Sequence, residues 1–145
     1  MRKAAKSKVT VEETGPAKVL KSAFRTFAKL ATQAAESRPQ LRGMRVATDP
    51  KMDRFVAVHL NSRVEFVLRI DREAAEASAT VDCFRMDSAG VSEGATIAQL
   101  RYGEAGAVLE ASVPELVGER IDQSPGASSI VAAVMWNAMM GQYST

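Results

Sequence analysis

This chain has little of what usually carries chemistry. It contains one cysteine, Cys83, and one histidine, His59, among 145 residues. A lone cysteine excludes an intrachain disulfide, and with a single histidine it makes no zinc cluster. The expectation is a reducing, cytoplasmic setting with no metal and no cofactor. No stretch reaches the roughly 18 apolar residues of a membrane span, and Met1 to Pro16 lacks the apolar core of a signal peptide. Those absences point to a soluble, unprocessed chain.

Phosphate-binding loops are missing as well. Gly90-Val-Ser-Glu-Gly94 has no Lys-Ser or Lys-Thr to hold phosphate and magnesium, and Glu93 repels a phosphate. Gly103 to Gly106 is too short and leads into a strand instead of a helix. Both read as turns. No internal repeat is present, and the aromatics among the N-terminal lysines, Phe24 and Phe27, fall on an apolar stripe and so offer no platform for stacking bases.

What remains is an ordinary globular composition, 46% hydrophobic and 25% charged. At this length a single domain buries about 68–70% of the surface its unfolded chain exposes, so no covalent staple is required. The formal net charge of +2 hides a division along the chain. Residues 1–45 carry eleven Lys or Arg against three Glu, and the remaining hundred carry eight against fourteen acids. A basic front precedes an acidic body, either to meet an anionic partner or because front and body attract each other.

The clearest local pattern lies between Arg54 and Ile70. Val64, Phe66, Leu68 and Ile70 alternate with Arg63, Glu65, Arg69 and Asp71, the period-2 signature of a half-buried strand. Phe55 to Leu60 forms its hairpin partner. A two-residue turn at Asn61 and Ser62 pairs Leu60 with Arg63 and His59 with Val64, which puts Phe55, Ala57 and His59 on the core side. His59 is therefore expected to be buried beside Val64.

Around that hairpin the order of elements is legible. Residues 1–13 read as a basic arm, with Arg2, Lys3, Lys6 and Lys8 set among small residues that cannot offset the entropy of ordering. A helix follows Pro16 and runs to about Ser37, because Pro39 disfavours helical geometry in the residue before it. Its apolar stripe is Leu20, Phe24, Phe27, Ala31 and Ala34. Lys18, Lys21, Arg25 and Lys29 form a second, basic stripe, which is either a solvated face or a phosphate-contacting one.

Strands are expected at Met44 to Thr48, Ser78 to Met86, Thr96 to Tyr102 and Ala107 to Ser112, with a β-bulge near Cys83 where the apolar parity switches. Arg72 to Ala77 and Glu115 to Arg120 suit short helical turns. From Ala127 to about Met140 the pattern is helical again and carries no charge, closed by Gly141. Ile130, Val131, Val134, Met135, Trp136, Met139 and Met140 go round its circumference. Such a helix must bury all its sides, within its own chain or against a second copy.

The expected architecture is α+β: a single domain over residues 14–145, built on an antiparallel meander of four to six strands. The N-terminal amphipathic helix covers it and the apolar helix ends the chain. In element order alone this resembles helix-grip pocket domains and small dimeric secretion chaperones, but no motif specifies either.

No catalytic residue is assigned. His59 and Cys83 read as packed core residues, and Glu65, Asp82, Glu110 and Glu119 as acids on solvated faces. The leading functional expectation is a small non-enzymatic binding or adaptor protein that forms a homodimer through Ile130, Val134, Met135, Trp136, Met139 and Met140. Arg2, Lys3, Lys6, Lys8, Lys18, Lys21, Arg25 and Lys29 are its candidate contacts to nucleic acid or another anionic partner. Two rivals stand beside it. One is a hydrophobic-pocket ligand-binding domain or enzyme, and the other a chaperone or inhibitor that meets a protein partner through its acidic body.

Overall fold

Prolines bracket the first helix. In a computed structural model, which describes residues 15–49, 53–71, 76–87 and 89–141, helix α1 spans Pro16–Ser37 with Pro16 in its first turn. It stops at Ser37 because Arg38, just before Pro39, is extended at φ −128 and ψ 118. Leu20, Ala23, Phe24, Phe27, Ala28, Ala31 and Ala34 are buried, the expected stripe with alanines added on its flanks. Six strands follow: β1 (Arg45–Asp49), β2 (Arg54–His59), β3 (Ser62–Asp71), β4 (Ser78–Met86), β5 (Ser92–Gly103) and β6 (Val108–Ala111). Short 3-10 turns lie at Pro39–Leu41 and Pro114–Leu116, and helix α2 closes the order at Gly126–Gly141. The arm 1–13, with Arg2, Lys3, Lys6 and Lys8, lies outside the described residues, as does most of the expected turn at 72–77.

The strands form one sheet in chain order, every neighbour antiparallel. The fold is therefore the α+β meander, at the upper end of the expected strand count. One face carries Phe55, Ala57, Val64, Phe66, Val81, Cys83, Leu100 and Tyr102, all buried in a single core with both helices. Aromatic rings seat α1 on it. Phe24 and Phe27 meet Phe55 at centroid distances of 5.6 and 5.3 Å, and Phe55 stacks on Phe66 at 4.5 Å.

The hairpin register differs from the expectation. Its turn is Leu60 and Asn61, so that His59 pairs with Ser62, Ala57 with Val64 and Phe55 with Phe66. The slip is by two residues, an even number, so every side chain keeps its face. Stacking Phe55 directly on Phe66 favours this register, since the expected one opposes Phe55 to Leu68. The turn then forces Leu60, and not Asn61, to a positive φ of 56. His59 is buried at 6% exposure as expected, but opposite Ser62. The bulge appears where the parity switched, with register shifts on both sides of Phe84.

Helix α2 lies beside α1 and packs on β3 and β5. Arginines hold its two ends. Arg38 donates to the hydroxyls of Ser128 and Ser129 at 2.9 and 2.6 Å in the first turn. Arg85 donates to the Ala138 carbonyl at 2.8 Å near the other end, where a cation also suits the helix dipole. No helix among the described residues is long and apolar enough to cross a membrane.

Candidate functional site

The residue types best suited to catalysis are spent on structure. The His59 Nε2–H donates to the Gln40 carbonyl at 2.9 Å, which pins the end of β2 to the connection after α1. Cys83 is wholly buried. Burial pushes its thiol well above the ordinary range and the Asp82 carboxylate adds to this, so a thiolate nucleophile is disfavoured.

Three acids on the sheet face turned away from the helices each have a cation, and two of them, Glu65 and Asp82, are buried at 7% and 8% exposure instead of solvated as expected, because neighbouring strand side chains close over them. Glu65 pairs with Arg54, and Asp82 accepts from Arg69 at 3.1 Å and from Gln99 at 2.6 Å. Glu110 accepts from Arg101 at 3.2 Å, and that hydrogen bond holds its carboxyl below the usual range. With a separate arginine for each, no two of them are set to share a proton. Glu119 lies off the sheet, where its main-chain carbonyl accepts from Val108 at 2.9 Å. Among the described residues no group of three His, Cys, Asp or Glu side chains is placed to hold a metal.

The basic stripe lies along one flank of α1, but it is not four equivalent free cations. Lys18 and Lys29 are exposed and Lys21 is half-buried with an interaction of its own. Arg25 forms an ion pair with Asp53 at 3.6 Å. That flank overlooks a cleft of about 310 Å³ between α1 and the adjoining ends of β1 and β2. Phe24, Arg25, Ala28, Lys29 and Thr32 come from the helix; Thr48 and Asp49 come from the end of β1, Asp53 from the turn before β2 and Arg54 from its start. Phe24 and Ala28 are almost fully buried, so the cleft has an apolar floor. The carboxylates escaped sequence reading because Asp49 and Asp53 lie between the strand expected at Met44 to Thr48 and the hairpin that starts at Arg54, where no periodicity assigns them a face. Only the fold brings them opposite α1.

The six candidate interface residues of α2 separate into two groups. Ile130, Val134 and Met135 are buried at 0, 0 and 1% exposure within their own chain. They pack on the sheet and α1, which removes them from any surface a second copy can reach. Trp136 and Met140 face outward at 60% and 47% exposure, with Met139 half-buried beside them. Among the described residues one side of this helix is therefore covered, while Trp136 and Met140 stand exposed on the other.

No family model, curated protein or solved structure matches this chain.

Proposed function

We propose that the protein is a non-enzymatic binding or adaptor module that works as a homodimer, with the second copy seated on the outer side of α2. Trp136 carries this reading. It is 60% exposed on a 16-residue helix without a charged side chain, and Met140, one turn further on, is 47% exposed. A tryptophan side chain offers about 150–250 Å² of surface for burial, and with 60% of it exposed here, covering that part at about 25 cal/mol per Å² is worth about 2–4 kcal/mol. An uncharged surface has no electrostatic preference for a different partner. Under a two-fold axis the same side meets itself, the commonest closed arrangement of identical chains. The engagement of His59, Cys83 and the three sheet acids in structural contacts supports the non-enzymatic half of the reading.

Sedimentation velocity on the full chain tests it. The expected mass is twice the 15.6 kDa of the chain. Trp136→Glu should give a folded monomer and Val134→Glu an unfolded protein, because only the first residue faces outward. A 15.6 kDa species throughout the micromolar range defeats the proposal. A second reading, contact of the α1 basic flank with a phosphate backbone, is favoured by the exposure of Lys18 and Lys29.

A further inference from the structure

The cleft beside α1 takes no part in self-association through α2, and its charges are sorted by wall. Helix α1 supplies Arg25 and Lys29, one turn apart, while the end of β1 supplies Asp49 and the turn into β2 supplies Asp53 across from them. Arg54 also lines the cleft, but Glu65 on the sheet face turned away from the helices takes its guanidinium. Phe24 and Ala28 form the floor between the two walls.

Asp53 is the residue that ordinary packing explains least. Its Oδ1 is buried and has no hydrogen-bond partner. The Arg25 Nη2 lies 3.6 Å away, outside the 2.7–3.2 Å typical of an N–H···O bond, and the Arg25 side chain is 57% exposed. The Asp53 backbone also takes the left-handed φ of 48, held there by the Leu68 N–H, which donates to the Asp53 carbonyl at 3.0 Å. A buried acceptor left open on a strained residue lining a cleft is a feature found at ligand clamps.

We propose that this cleft binds a small zwitterion, a free α-amino acid with an apolar side chain. Its ammonium donates to the partly exposed Asp53 carboxylate, its carboxylate accepts from Arg25 and Lys29, and its side chain lies on Phe24 and Ala28. The volume of about 310 Å³ falls at the small end of ligand cavities and suits a molecule of that size. A simple anion leaves Asp53 without a donor and sits beside two carboxylates. A simple cation satisfies Asp53 but separates Arg25 from its counter-charge. A ligand carrying both charges replaces the long ion pair with two charge-assisted hydrogen bonds.

Isothermal titration of the full chain with L-leucine and L-phenylalanine tests the site. The half-molecules 3-methylbutylamine and 4-methylpentanoate serve as controls. Saturable one-to-one binding of at least one amino acid is expected, with each half-molecule weaker by about tenfold or more. Asp53→Asn, which keeps a residue tolerant of positive φ, and Arg25→Gln should each weaken binding to a similar degree. Glu104→Gln, on an exposed turn, should leave it unchanged. Circular dichroism establishes that each variant is folded, and if Asp53→Asn is not, Arg25→Gln decides alone. The proposal is overturned if neither amino acid saturates by about 10 mM, if a half-molecule binds as tightly as leucine, or if the folded cleft variants bind normally.

Discussion

At the scale of single residues, Leu60 carries an identifiable conformational cost. Its φ of 56 belongs to the left-handed region, yet its side chain is 72% exposed and returns little burial. Left-handed geometry costs a residue with a Cβ about 1–2 kcal/mol, and asparagine bears it better. Leu60→Asn is therefore expected to stabilise the chain by about 1 kcal/mol in urea unfolding. An unchanged or lowered midpoint would count against strain at this turn. Cys83 supplies a pH dependence. Its folded pKa is raised by burial and then by Asp82. The associated stability is complete below the unfolded thiol value of about 8.5 and is lost as pH rises from there towards the folded value. Cys83→Ala, although it opens a small cavity, should flatten the fall in stability above about pH 8.5. A parallel decline in both proteins would contradict that assignment.

At the scale of elements, the start of α2 inverts a familiar rule. Replacing a helical glycine with alanine usually gains up to about 1 kcal/mol in helix propensity. A Cβ on Gly126, however, runs into the Arg120 carbonyl oxygen and falls 2.7 Å from the Arg120 nitrogen. Both are backbone atoms, so neither can swing aside. Gly126→Ala should destabilise by about 1–3 kcal/mol in chemical denaturation, as overpacking does elsewhere. A stabilised variant would mean that the 118–126 connection does not press on the helix in this way. The same element shows where periodicity loses its force. With apolar residues all round, α2 gave no sign of which side meets the sheet, whereas the mixed polarity of α1 did.

At the scale of the whole molecule, charge is separated along the chain but partly rejoined in space. Arg25 of the basic front meets Asp53 of the acidic body, so front and body do attract each other at that point. If the α1 flank contacts nucleic acid, log affinity for duplex DNA should fall against log salt by about 0.9 for each phosphate neutralised. Replacing Lys18, Lys21, Arg25 and Lys29 together with alanine should reduce that slope. Lys29→Ala alone should cost more affinity than Arg25→Ala, because Arg25 already has a counter-charge. Fluorescence anisotropy over a salt series measures both, and binding indifferent to the quadruple substitution would leave the flank merely solvated.

The pattern along the chain by itself determined the class and most of the elements. Alternation at Val64, Phe66, Leu68 and Ile70 identifies a strand, the spacing of Leu20, Phe24, Phe27, Ala31 and Ala34 identifies a helix, and Pro39 ends it, because these signals act through neighbouring residues. The burial of His59 followed too, since side-chain parity survives a register slip of two. The pairing of Phe55 with Phe66 was decided only in three dimensions, where ring stacking selects one even register from another. So was the outward side of α2, which depends on where the sheet and α1 already stand. The cleft is the plainest case: Asp49 and Asp53 meet Arg25 and Lys29 only because α1 crosses the ends of β1 and β2, a juxtaposition that distance along the chain does not encode.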